Sequence, residues 1–189
     1  MDANQVVSDA KTKFGQAVER FKDGLKTLRT GRANAGMLDG VMVEAYDTKM
    51  PLNQVATIAI PEPQLIQLTP FDPNNLGAIA DAIRNDSSLG LNPTDDGRVI
   101  RVPIPPLTEE RRRELAKQVG QKQEECMIVL RNVRHDAMDT LNQAKKDKDI
   151  SEDEAKRLSG QVDDALNKAR GDAEAAAKSK ESEIMSIGK

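Results

Sequence analysis

The chain has 189 residues, of which 38% are hydrophobic, 31% charged and only 2% aromatic, and it carries a net charge of −3. Any large core must therefore be aliphatic; the single cysteine, Cys126, excludes an internal disulfide and has no companions for a zinc site, and the length leaves one domain or two open. No apolar run reaches membrane-spanning length, and the opening MDANQVVSDAKTKFGQ lacks a basic region followed by an apolar one, so a cytoplasmic protein is expected.

From Val7 the apolar positions Ala10, Phe14, Ala17, Phe21, Leu25 and Leu28 recur at steps of three and four, which keeps one helix face apolar. This predicts a first long helix that stops near Thr30 and Gly31, because glycine tolerates the positive φ that closes a helix.

Between Arg32 and Pro106 the character changes. Prolines concentrate here, and short β-like runs occur at Val41–Tyr46, Thr57–Ile60, Leu65–Leu68 and Val99–Ile104. One helix is expected, Asp72–Asp86, capped by Asp72, with Pro73 at its first position and Leu76, Ile79, Ala80 and Ile83 on its buried face. The sequence DDGRVIRV reads as a turn feeding a strand.

After Pro105 and Pro106, Thr108 is placed to cap a second long helix whose first turn carries Glu109 and Glu110, complementing the helix dipole. Its expected seam is Leu115, Val119, Cys126, Val129, Val133, Ala137, Leu141 and Ala144, interrupted by Lys122, and the polar run KKDKDI ends it. Ser151 with Glu154 forms a capping box for a third helix with the seam Leu158, Val162, Ala165, Ala169, Ala173, Ala176 and Ile184. Helices of this length are stable when their seams are packed lengthwise together. The expected fold is α+β with two domains: an elongated three-helix bundle from residues 1–30 and 107–189, and a small, β-rich, sandwich-like α/β domain inserted at 31–106, with hinge crossings near 30–32 and 103–106.

Catalytic and metal signatures are missing from the sequence: GxxxxGK[ST], GxSxG, HExxH and CxxC do not occur, and the lone His135 has no nucleophile beside it. His135 reads as a surface residue, and the carboxylate runs read as helix first turns and solvent faces, so an enzyme is not expected. Nor is there a global basic field, since residues 31–106 hold five Lys/Arg against nine Asp/Glu. RNA would have to be met by a local stripe. At about 100° per residue, Arg131 and Arg134 share a face of the second long helix, and Arg113 and Lys117 return to it within about 40°. Lys22, Lys26 and Arg29 form a shorter row on the first helix. Guanidinium groups along a rigid rod suit phosphates, and scarce aromatics argue against base stacking; a plain solvated face fits the same spacing.

Three segments together carry a family resemblance: LRTGRANAGMLDGVMVEAY at 28–46, LGLNPTDDGRVIRVPIPPLTEERRRELAKQ at 89–118 and RNVRHDAMD at 131–139. In order and spacing across the whole chain they resemble ribosome recycling factors. The resemblance implies an L-shaped pair of domains with dimensions like those of transfer RNA. It implies a non-catalytic, monomeric factor without a cofactor that binds large-subunit ribosomal RNA after termination and works with elongation factor G and GTP to separate the subunits and release messenger and transfer RNA. Carried over by position, Arg131 and Arg134 would contact ribosomal RNA, with Arg29 near the bundle end; Thr30, Gly31, Arg32, Pro103, Pro105 and Pro106 would form or flank the hinge. The family often has a basic residue at the position of His135, so local charge is weaker here. In the triplet Arg111–Arg113 only Arg113 lines up with the RNA stripe; Arg111 and Arg112 are expected to secure the hinge or meet another partner. Bundle periodicity alone also fits a chaperone-like adaptor, and an RNA-processing enzyme is disfavoured by the missing acid/base or metal constellation.

Overall fold

A computed structural model describes residues 2–28 and 30–186. The chain divides into two compact units, one comprising the residues through Thr30 with Glu109–Ser186, the other Gly31–Thr108.

The first unit is a bundle of three helices, α1 (Ala3–Lys26), α3 (Glu109–Lys146) and α4 (Glu152–Ser186), each packed against the other two. Asp2 caps α1 by accepting from Asn4 N at 2.9 Å, and Ser151 Oγ accepts from Glu154 N at 3.1 Å to start α4. The turn between α3 and α4 closes with Asp149 N donating to Ala144 O at 2.9 Å, and Lys148 takes the left-handed φ of 63° that reverses the chain. The α1 helix ends at Lys26, short of the expected Thr30, because Thr27 Oγ1 turns back to Gly24 O at 2.7 Å and caps the last turn.

The seams differ from expectation at four steps. Val18 is buried in place of Ala17, Leu130 in place of Val129, Leu166 in place of Ala165, and Ala177 in place of Ala176. Val129 is 41% exposed, and Val133 and Ala144 are only half-buried. A helical turn of 3.6 residues admits a step of three or four, and in the first three cases the larger aliphatic side chain takes the seam because its burial removes more apolar area from water.

The second unit holds a hairpin, β1 (Met42–Ala45) with β2 (Thr48–Pro51), and a four-stranded antiparallel sheet in the order β3-β4-β6-β5. Those strands are β3 (Ala56–Glu62), β4 (Leu65–Pro70), β5 (Thr94–Asp95) and β6 (Ile100–Pro103). One helix, α2 (Leu76–Asn85), follows a single 3-10 turn, Pro73–Asn75, capped by Asp72 on Asn74 N at 3.0 Å. Strands β2 and β5 are additions to the expected set. The hairpin turns on Tyr46 and Asp47 at φ 54° and 60°, a left-handed pair usually built from Asn and Gly, so its sequence signal is absent. The core is aliphatic: Leu38, Val43, Ile66, Leu68, Ile79, Ile83, Ile100 and Val102 are fully buried. Pro61 falls where the β3–β4 register shifts between Ala59 and Glu62, on an edge strand, where a residue without an N–H is tolerated.

Candidate ribosomal RNA interface and connecting segments

The basic stripe is carried by α3. Arg113, Lys117, Arg131 and Arg134 are all exposed and lie on one flank of that helix. Arg134 Nε donates to Asp163 Oδ1 of α4 at 2.7 Å, so the stripe borders the α3/α4 side of the bundle and one of its cations carries a carboxylate with it. Arg131 Nη2 donates to Glu124 Oε1, two turns back on the same helix, at 3.1 Å. Arg113 and Lys117 have no ion pair among the described residues. These exposed pairs contribute little to stability, but each orients a guanidinium and sets a carboxylate beside it.

Of the row on α1, Lys22 does not join this stripe. Lys22 borders the opposite flank of α4, in a groove between α1 and α4 lined also by Lys11, Asp164, Lys168 and Asp172. Arg29 lies outside the described residues. His135 is exposed on α3 with its Nε2 3.2 Å from Asp139 Oδ2, one helical turn on. Cys126 is buried against α1, its Sγ 3.7 Å from Ala17 O, and burial raises its pKa, which makes the thiol a weak nucleophile. No group of three or more His, Cys, Asp or Glu side chains is placed to hold a metal ion among the described residues, nor is any helix there long and apolar enough to cross a membrane.

The arginine triplet separates into three environments. Arg111 Nη1 pairs with Glu114 Oε2 at 2.9 Å on the surface, and Arg113 is exposed on the stripe. Arg112 corrects the expectation that it serves the hinge or a partner: it is buried in the bundle, and its Nη1 donates to the Ile184 carbonyl oxygen at 2.6 Å. The last turn of α4 has no basic residue of its own, and Arg112 supplies both the positive charge and the donor that the helix end lacks. Sequence reasoning missed this although the signal was present, since Arg112 stands three residues before Leu115 and seven before Val119, at a seam position. Close by, buried Thr30 donates through Oγ1 to Glu183 Oε1 at 3.2 Å, so the segment that follows α1, the start of α3 and the end of α4 meet at one end of the bundle.

The segments on either side of the inserted unit are tied to a single turn. Ala33 N donates to Pro63 O at 2.7 Å, and Ile104 N donates to Gln64 O at 2.8 Å, so the incoming and outgoing chains are fastened to consecutive residues of the β3–β4 connection. Gly31, at φ 76°, lies so close to Leu107 that a β-carbon would stand 2.9 Å from Leu107 Cγ. Glycine is required here twice over, by conformation and by space. Arg32, Pro105 and Pro106 are exposed between these fixed points, and Pro103 closes β6 opposite Leu65.

With this geometry in place, the chain can be set beside known proteins. The family model for ribosome recycling factor matches residues 21–185. The ribosome-recycling factor of Erythrobacter litoralis is 47% identical over 178 residues, covering 94% of this chain and 96% of that protein. That of Chloroflexus aggregans is 44% identical over 184 residues, covering 97% and 99%. Among solved structures, a solution structure of ribosome recycling factor shares 37% identity with a TM-score of 0.73, covering 99% of both chains. The ribosome recycling factor of T. thermophilus, in a structure with E. coli elongation factor G bound to the E. coli post-termination complex, shares 38% identity with a TM-score of 0.61, covering 97% of this chain and 99% of that one.

Proposed function

Because the chain belongs to the ribosome recycling factor family, we propose that it binds the post-termination ribosome in the cytoplasm and, with elongation factor G and GTP, separates the subunits and releases messenger and transfer RNA. The observation that carries this reading is the end-to-end match to proteins of that name at 44–47% identity. No observation favours the chaperone-like adaptor.

In this reading the protein performs no bond chemistry, and the energy comes from the partner's GTP. Its own work is mechanical. The bundle docks on large-subunit ribosomal RNA through Arg113, Lys117, Arg131 and Arg134, joined by Arg29 from the family pattern, where cations along a straight helix exchange condensed counterions for fixed ones. The inserted unit then moves on two adjacent segments, with Thr30, Gly31, Arg32, Pro103, Pro105 and Pro106 forming or flanking the hinge. Prolines stiffen one segment and glycine gives the other its turn, so bending is confined to a few bonds. Fastening of Ala33 and Ile104 to neighbouring carbonyls supports a single pivot, because both chains must leave the inserted unit together.

Polysome breakdown tests the function: conversion to free subunits should require the protein, elongation factor G and GTP together, and breakdown that proceeds without any one of them refutes it. The RNA contacts are tested on isolated large subunits. Arg134→Ala should weaken binding and lower the slope of log affinity against log salt by about one unit. Asp163→Asn, which frees Arg134 from its carboxylate, should tighten binding; unchanged affinity in both variants removes Arg134 from the interface.

A further inference from the structure

The chain has four aromatic residues, and two of them face solvent on the inserted unit: Tyr46 is 66% exposed and Phe71 65%. They are neighbours through a polar bond. Tyr46 sits at the tip of the β1–β2 hairpin, and its hydroxyl donates to Asp72 Oδ2 at 3.0 Å, which brings the tip against the residue that follows Phe71. Phe71 is itself held by its backbone, its N–H donating to Val55 O at 3.0 Å. Met42, 48% exposed, lies on the outward face of β1. Both turn residues, Tyr46 and Asp47, take a left-handed φ that a bulky side chain rarely adopts.

The surroundings select the partner. Asp72 holds a carboxylate against the Tyr46 hydroxyl, Asp47 follows Tyr46 in the turn, and the inserted unit as a whole holds five Lys/Arg against nine Asp/Glu. A nucleic acid would meet repulsion here, and a purely apolar partner would leave the carboxylates without a counter-charge. Arginine satisfies both features, because its planar guanidinium stacks on aromatic faces while its N–H groups fork onto carboxylates, which the compact, strongly hydrated ammonium of lysine does less well.

We propose that the Tyr46–Phe71 patch of the inserted unit is a docking surface for an arginine-bearing basic protein surface. It is distinct from the RNA stripe on α3, which offers cations to phosphates; the patch offers aromatic faces and carboxylates to a cation. The proposal does not depend on the recycling function, since its test requires no ribosome.

The molecule carries its own reporter. Tyr46 is the only tyrosine and there is no tryptophan, so intrinsic fluorescence reads this patch alone. The full-length protein is titrated with an acetylated Gly-Arg-Gly-Arg-Gly amide, with the matching lysine peptide, and with a short oligoadenylate RNA after correction for absorbance. The arginine peptide should give a saturable change, and the lysine peptide should bind more weakly. Phe71→Ala, exposed enough to leave the circular dichroism unaltered, should weaken the arginine peptide about two- to fivefold. Absence of a saturable change with the arginine peptide up to millimolar concentration overturns the proposal. So does an affinity unaffected by Phe71→Ala, or a larger response to the RNA than to the arginine peptide.

Discussion

The bundle and the inserted unit solve the same problem, an aliphatic core with almost no aromatics, in opposite ways. The bundle spreads its core along three helices of 24, 38 and 35 residues, so each buried side chain touches only near neighbours along a seam. The inserted unit gathers its core from two sheets and one short helix, and eight of its aliphatic side chains are fully buried. Their surfaces are opposed too. Residues 31–108 hold five Lys/Arg and nine Asp/Glu, a balance of −4, while the rest of the chain holds 23 and 22, a balance of +1. The rest of the chain is thus close to neutral, because the surplus of acid resides in a separate unit, and a local row of cations on α3 does not have to work against a net negative bundle.

The comparison predicts that the two cores can be damaged separately. Leu158 is fully buried in the bundle, and Leu158→Ala should cost that unit about 2 to 5 kcal/mol through lost burial and a residual cavity. Two probes tell the units apart during urea unfolding: circular dichroism follows the long helices, and Tyr46 fluorescence follows the inserted unit. Leu158→Ala should move the first midpoint and spare the second, and Ile66→Ala should do the reverse. Equal movement of both midpoints in either variant would mean that the units unfold as one.

Next in size is the arginine triplet, which tests whether charge on the bundle is structural or available to a partner. Arg112→Met should destabilise the bundle by about 1 to 3 kcal/mol, because it leaves the buried Ile184 carbonyl without its donor. Arg113→Met, one residue on, should shift stability by less than about 0.5 kcal/mol and lower affinity for the large ribosomal subunit. Thermal unfolding and subunit binding, measured on both variants, should give opposite rankings.

A smaller effect is expected where the chain enters the inserted unit. Gly31→Ala forces a left-handed β-carbon toward Leu107 and should cost about 1 to 2 kcal/mol of local stability. Hydrogen exchange at Ala33 and Ile104, whose amides are fastened to Pro63 and Gln64, should rise in this variant while the helices keep their protection.

Much of this division is legible in the sequence, for physical reasons. The long helices announce themselves because a seam repeats many times, and the single helix of the inserted unit because Asp72 and Pro73 mark its start. The seam positions are less secure wherever a step of three or four is geometrically open, and side-chain volume decides between them. Strand β2 is illegible because its turn uses Tyr46 and Asp47 where Asn-Gly would have signalled a hairpin. The burial of Arg112 is legible from its heptad spacing to Val119, but a charged residue type argues for solvent until a helix end that needs a donor is in view. The anchoring of Ala33 and Ile104 to one turn cannot be read at all, since it joins residues far apart in the chain.

The smallest predicted effect belongs to the turn that returns the chain through β6 toward the bundle. Asp96 Oδ1 accepts from Arg98 N and Val99 N at 3.0 Å each, and Oδ2 accepts from Arg101 Nη1 at 3.0 Å. These bonds, the backbone pair foremost, lower its pKa from 3.8 to about 2. A carboxylate whose pKa falls on folding contributes its full stabilisation above the unfolded value and loses it as pH drops through the folded one. The turn should therefore stay ordered at pH 5 and loosen between about pH 4 and pH 2. The backbone amide resonances of Arg98 and Val99 should titrate in that window, and Asp96→Asn should abolish their titration. Because the group is exposed, the effect should remain local: if the backbone amides of the buried core residues Ile66 and Ile79 titrate in step with those of the turn, the acid response belongs to the whole inserted unit and not to its turn.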